Sequence, residues 1–252
     1  MSVDLAAITH YLDGYLRIAE VGDSDRALNG LQVDNAGEVH RIAAAVDACQ
    51  VTIDKTTDCG SDFLLVHHGL FWDGVQAIAG RHGRRIRTLL ETDTALYAAH
   101  IPLDVHPEVG NNAVLAKMLG IRQSDWFGEQ YGQAIGLAGS LEVSLDELAD
   151  RIKVHLGADP QVIAGGPSRT SRVGVVTGAG GGLIGQARAA GVDTFITGEG
   201  SHHTYFDAEE WGINLIYAGH YATETVGVKA LAEHLQHRFD IPWEFLHHPT
   251  GL

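Results

Sequence analysis

The chain has 252 residues, 45% of them hydrophobic, with 32 acidic residues against 17 basic ones and a formal charge of −15. That length suits one large domain or two modest ones with a substantial core. The acidic field disfavours nucleic acid and anionic membrane as partners. The N-terminal MSVDLAAITHYLDGYL lacks the basic region of a secretion signal, and no apolar run approaches the roughly 18 residues of a membrane span, so a cytoplasmic location is expected. Cys49 and Cys59 have no metal-ligand spacing and read as reduced thiols.

In chain order, Leu5, Ile8, Leu12, Leu16 and Ala19 have helical spacing and predict a first amphipathic helix over 4–20. Leu28 to Val33 (LNGLQV) is a glycine turn leading into an extended stretch. RIAAAVDA at 41–48 predicts a buried strand, 49–59 a helix closed by Gly60, and 62–66 a second strand with His67–His68–Gly69 at its carboxyl end. A basic-faced helix over 81–92, a strand over 95–99 and a helix over 110–119 stopped by Gly120 follow. Residues 126–170 read as a connector holding one helix, SLDELADRIKVHLG, with Ser144 and Glu147 in capping-box positions. Then come a strand at 172–177, a glycine loop, a helix at 183–190, a strand at 193–197 ending in Gly198–Glu199–Gly200, a helix at 203–211, a strand at 213–218 and a long helix from His220 to about Arg238.

The second half repeats the first. A shift of 131 residues lays Arg41–Ile42 on Arg172–Val173, Gly60-x-Asp62 on Gly191-x-Asp193, and His67–His68–Gly69 on Gly198–Glu199–Gly200. Beyond a shorter connection, Ala99–His100-x-x-x-Asp104 lies on Gly219–His220-x-x-x-Glu224. The expected fold is α/β: two related lobes with mixed sheets flanked by helices, produced by internal duplication, over 1–125 and 126–252. The C-terminal helix is free to pack back on the first lobe.

Histidines and carboxylates recur directly behind short apolar runs, where an α/β protein displays its chemistry. His67 and His68 point to opposite faces of an extended chain unless it turns, which Gly69 permits. His220 and Glu224 are four apart at a helix start and share a face. With Asp104 they make a plausible dinuclear metal set; imidazole and bridging carboxylate suit zinc, iron, manganese or nickel. The glycine loop TGAGGGLIG follows a strand and opens a helix, but the acid that a dinucleotide fingerprint needs is misplaced, leaving a βα turn that could hold a phosphate. His202–His203, near Tyr205, read as substrate groups or as helix-capping surface groups. Neither G-x-S-x-G nor H-E-x-x-H is present.

NGLQV (29–33), HHGLFW (67–72), H-x-P-L-D-x-H (100–106) with Asn111–Asn112, TGE (197–199) and AGHYATE-x-x-G-V (218–228) together resemble the Nif-three-like dinuclear metal-centre proteins, also called GTP cyclohydrolase I type 2 homologues. The resemblance covers nearly the whole chain in the family's order. It implies metal ligation by His67, His68, Asp104, His220 and Glu224, two α/β lobes, two divalent ions per chain and a toroidal homohexamer. Metal-dependent hydrolysis of a small-molecule substrate through a metal-bound water is the leading expectation, with His100 and Glu199 steering protons or orienting ligands and Asn29, Gln32 and His203 lining the substrate pocket. A cyclohydrolase would direct that water at a purine ring carbon and a phosphoesterase at phosphorus. The net charge makes a free polyanion the less natural substrate, although a local cavity can differ from the net field. The rival reading is a non-catalytic metal carrier or regulatory scaffold.

Overall fold

The computed structural model describes residues 2–72 and 74–251; the outermost residues of the two expected lobes, Met1 and Leu252, lie outside the described residues. In chain order the elements are β1 (Val3–Asp4), α1 (Leu5–Tyr15), β2 (Gly30–Val33), β3 (Glu38–Val39), β4 (Ile42–Asp47), α2 (Gln50–Asp58), β5 (Phe63–His68), α3 (Gly80–Glu91), β6 (Ala95–Ala98), α4 (Ile101–Asp104) and α5 (Asn111–Leu119). They continue with β7 (Arg122–Gln130), β8 (Gln133–Ser140), α6 (Leu145–Leu156), β9 (Gln161–Ala164), β10 (Arg172–Val176), a 3-10 turn (Gly180–Leu183) and α7 (Ile184–Ala189). The last elements are β11 (Thr194–Thr197), α8 (Thr204–Trp211), β12 (Asn214–Tyr217), α9 (His220–Phe239) and β13 (Trp243–Phe245). No helix is long and apolar enough to cross a membrane among the described residues.

The chain forms two compact units, Met1–Val109 with Val228–His248, and Gly110–Gly227 with Pro249–Leu252. The first holds a five-stranded mixed sheet of order β13-β4-β5-β6-β2 and a small β1-β3 ribbon. β13, β4, β5 and β6 run parallel and β2 is antiparallel to β6. Strands of a parallel sheet bury both faces and so read as continuous apolar runs; IAAAVD and FLLVHH are buried up to their last residue. Ala43, Ala45, Leu64, Val66 and Leu96 pack with Ile53 of α2 and Ile86 and Leu89 of α3 in one core. α1 is started by Asp4, whose carboxylate accepts the Ala7 N–H at 3.0 Å.

The second unit holds a six-stranded mixed sheet of order β7-β8-β10-β11-β12-β9. β10, β11 and β12 are parallel, with β9 antiparallel on the outer side of β12. Leu115, Leu119, Leu148 and Ile152 of the helices pack against Leu137, Val173, Val175, Ile196 and Ile216 of this sheet. Ser144 caps α6 as expected, accepting the Glu147 N–H at 3.1 Å.

The repeat extends to individual hydrogen bonds. Asp62 accepts the His40 and Arg41 N–H groups at 2.9 and 3.2 Å; Asp193 accepts those of Ser171 and Arg172, both at 2.9 Å. Gly60 and Gly191, each two residues before its Asp, turn the chain with φ of 69° and 76°. Ile42 lies opposite Phe63 in one sheet, and Val173 opposite Thr194 in the other, at the same 131-residue shift. The third strands pair Phe63 with Ala95 and Thr194 with Asn214, a shift of 119 between 95 and 214. The His100 and His220 motifs are 120 apart, so the second unit carries one more residue between strand and histidine.

The expected connector at 126–170 is more structured than its sequence suggests. β7 and β8 form a hairpin through Tyr131 and Gly132, with φ of 53° and 79°, the paired positive values of a two-residue hairpin turn. β9 closes the far edge of the same sheet.

Candidate metal centre

In the first unit the site grows from the carboxyl ends of β4, β5 and β6. β5 remains extended through both histidines, and their ring centroids are 4.7 Å apart at its end. Gly69 does not act as a positive-φ turn. A Cβ there would lie 2.2 Å from the Gln32 amide, so the glycine makes room for Gln32, whose Oε1 accepts the Leu70 N–H at 2.7 Å.

His67 is completely buried, and its Nδ1 is 2.9 Å from the Ala99 carbonyl oxygen. A carbonyl only accepts, so the proton is on Nδ1 and the lone pair on Nε2. That Nε2 lies 3.6 Å from Asp104 Oδ1. His68 places Nδ1 2.9 Å from Asp47 Oδ1, its cross-strand partner in the β4–β5 ladder. His100, the residue before α4, places Nδ1 2.8 Å from Asp23 Oδ1. Ring nitrogens of His67, His68 and His100 all lie within 4.8 Å of one another, a spacing that suits a shared ion.

Asp23 is the hub behind His100. It also accepts from Asn29 Nδ2 at 2.8 Å, while Asn29 Oδ1 accepts the His100 N–H at 2.7 Å. Burial opposes the Asp23 charge, but bonds from His100, Asn29 and the Ser24 N–H outweigh it and hold the carboxyl below its ordinary range. Asn29, Gln32, His67 and His100 line one narrow crevice with Gly69 and Trp72. The Trp72 indole donates to the Gly69 carbonyl at 2.9 Å and sets its ring 4.9 Å from His100 and 5.5 Å from His68.

The second unit repeats the arrangement with more carboxylate. His220 opens α9 and places Nδ1 2.7 Å from Glu199 Oε1 and Nε2 3.2 Å from Glu224 Oε2. Burial draws the His220 pKa down, but Glu224 and Glu199 outweigh it and push it up to about 9. Without a metal the ring is an imidazolium held between two carboxylates, a place already organised around positive charge. Glu224 is 3% exposed.

The glycine loop serves this carboxylate. Gly178 has φ of 66°, and a Cβ on it would sit 2.1 Å from Glu224 Oε1. Its N–H donates to Thr223 Oγ1, that of Gly180 to Thr197 Oγ1 and that of Gly181 to the Glu199 carbonyl, at 3.0, 3.0 and 3.1 Å. Three of the loop's N–H donors are thus engaged within the unit.

The Duf34/NIF3 (NGG1p interacting factor 3) family profile matches residues 3–250. The chain belongs to the Duf34/NIF3 family. A Deinococcus radiodurans relative named GTP cyclohydrolase 1 type 2 homolog is 47% identical over 247 residues, 97% of this chain and 93% of its own. A Halobacterium salinarum relative of the same name is 43% identical, with 99% of this chain and 100% of its own covered. Among solved structures, TTHA1606 from Thermus thermophilus superposes with a TM-score of 0.90 at 45% identity over 99% of this chain and 100% of its own.

In this Duf34/NIF3 chain the first unit brings together His67, His68, His100, Asp104, Asn29 and Gln32, and the second brings together His220, Glu224 and Glu199. His203 is exposed at the start of α8, where its carbonyl accepts the Phe206 N–H at 3.0 Å. Its neighbour His202, rather than His203, lines a cavity of about 390 Å³ with Tyr205, Phe206 and Tyr217. Sequence reasoning missed Asp23 and Asp47. Asp47 carries a signal, a carboxylate ending the strand paired with the double histidine; Asp23, in the GDSD turn, carries none.

Proposed function

We propose that this protein binds two divalent metal ions through His67, His68, Asp104, His220 and Glu224 and uses them to hydrolyse a small-molecule substrate. The observation that carries the reading is shared by His67, His68, His100 and His220: each has Nδ1 against an oxygen acceptor, Ala99, Asp47, Asp23 or Glu199. Ligating histidines are held in this way, because the outer bond fixes ring orientation and tautomer and makes Nε2 the ligand. Ions held there would supply Lewis acidity and would lower the pKa of a coordinated water toward neutrality. Histidine and carboxylate donors fit zinc, iron, manganese or nickel. His100, with its proton anchored on Asp23, presents Nε2 as an acceptor toward the crevice and suits it to receive a proton. Glu199 orients His220. Asn29 and Gln32 line the same crevice with their amides engaged by Asp23, the His100 N–H, the Leu28 carbonyl and the Leu70 N–H, so their part is to shape its wall and hold His100 in place. The name carried by the curated relatives supports a cyclohydrolase, in which a water adds to a carbon of a purine ring.

Metal content per chain, by elemental analysis of wild type and Glu224→Ala, tests the ligand set. About two ions in wild type, with a sharp fall in the variant, are expected. A panel of nucleotides and phosphoesters then tests turnover. Metal bound in full by a protein inert across that panel would replace the hydrolase with a metal carrier.

A further inference from the structure

The sequence of α3 opens GRHGRRIR, placing Arg81, Arg84, Arg85 and Arg87 within seven residues of a chain that has only 17 basic residues. Arg81, Arg84 and Arg85 are spaced i, i+3 and i+4, so they share one face, with Cβ atoms about 5–6 Å apart. Among the described residues, none of these guanidinium groups has a carboxylate partner, and the buried Nε of Arg85 meets no acceptor. The cluster also stands at the wrong end of its helix. The first turn contains no acidic residue and no side chain caps it, so three cations face the positive end of the helix dipole. Burial and the charges of Arg81 and Arg84 all weaken protonation of Arg85. Only the interaction with Cys49 works the other way among the causes acting on Arg85.

The cluster stands beside the histidines. Gln50, the first residue of α2, donates to Thr88 Oγ1 on α3 at 3.1 Å, and Arg85 lies within electrostatic reach of Cys49. Cys49 follows Asp47 and Ala48. Asp47 holds the His68 ring, and the Ala48 N–H donates to the His68 carbonyl at 2.8 Å. The arginine face therefore adjoins the carboxyl ends of β4 and β5, the side on which open α/β sheets bind ligands.

We propose that Arg81, Arg84 and Arg85 bind the polyphosphate group of a phosphorylated small molecule. Three guanidinium groups within one helical turn match the size of a di- or triphosphate, whereas a nucleic acid would need a basic track that a chain of charge −15 lacks. Gly178, Gly180 and Gly181 of the glycine loop have their N–H groups engaged within the unit, whereas the guanidinium groups of α3 have no carboxylate partner among the described residues. That the anion is the tail of the substrate rests on the hydrolase reading; the anion site itself does not.

The test is calorimetric titration of tripolyphosphate into the metal-free full chain, comparing wild type with Arg81→Gln/Arg84→Gln, both exposed positions. Wild type should bind with an affinity that falls as salt rises, and the double variant should bind about tenfold or more weakly. Its metal content should equal that of wild type. Equal affinity in both proteins, or none in wild type, would overturn the proposal. So would tighter arginine-dependent binding of a mixed-sequence single-stranded oligonucleotide, which would make α3 a nucleic-acid surface. Tripolyphosphate binding by a protein that takes up no metal would leave the anion site in place and remove the hydrolase.

Discussion

At the end of its second parallel strand the first unit presents His67–His68–Gly69, and the second presents Gly198–Glu199–Gly200, on ladders whose registers correspond at a fixed shift. The position of buried His67 is taken in the second unit by Gly198, where a Cβ would meet the Gly178 carbonyl at 2.6 Å and His220 Cα at 2.7 Å. A side chain fills this space in one unit and backbone fills it in the other. The extra residue before His220 accompanies this exchange: the second unit brings the start of its helix over the strand end and offers His220 and Glu224 as its donors. One frame, clamped twice by an aspartate on two backbone N–H groups, thus supports a nitrogen-rich donor set and a carboxylate-rich one. The clamp conserves geometry while the residues just beyond the strands set the chemistry.

The sharpest way to break the comparison is at the glycines that make room for each set. Gly178→Ala should cost about 1–3 kcal/mol through its left-handed backbone alone and should also displace Glu224, reducing metal content. Gly69→Ala has ordinary φ and its nearest contacts are with the flexible end of the Gln32 side chain, so about 0.5–1.5 kcal/mol is expected, near the worth of the Gln32–Leu70 hydrogen bond. Denaturant melts with metal analysis on both variants check the order; a larger loss from Gly69→Ala would reverse the assignment of roles.

The clamps should behave alike. Asp62→Ala and Asp193→Ala each remove a carboxylate from two backbone donors, at a cost of about 1–3 kcal/mol. Urea midpoints that differ by more than the whole effect would show that the two aspartates are not equivalent supports.

The smallest effect is one of pH. His220 is raised to about 9 in the metal-free protein, from an ordinary value of 6.5. Its contribution to stability is therefore fully present below about pH 6.5 and lost as pH rises through about 9. Metal must displace that proton, so its affinity should climb with pH over the same window. Calorimetry at pH 7 in buffers of different ionisation enthalpy should record proton release on metal uptake, and Glu224→Gln should reduce it. Release of no proton by wild type would refute the assignment.

Much of this was legible in the sequence because it rests on local rules. Continuous apolar runs marked β4, β5, β10 and β11, and the Gly-x-Asp spacing marked the clamps that align the halves. The resemblance named the family that the profile match and the relatives show. The hairpin was not legible, because Arg122 to Asp125 of β7 are exposed and polar and β8 is rich in glycine and alanine, so neither has the alternation that marks a strand. β13 escaped notice for its three residues. Asp23 was hidden for another reason: its contacts with His100 and Asn29 are made by tertiary folding of an irregular turn, which no periodicity encodes.

Trp72 places an optical reporter beside the histidines of the first unit. With its indole against the rings of His68 and His100, its emission is exposed to whatever those rings bind. An iron, manganese or nickel ion with unfilled d orbitals would darken this fluorophore, whereas filled-shell zinc would leave it bright. The Trp72 share of the emission, taken as the difference from a Trp72→Phe variant, can thus distinguish classes of ion without a label.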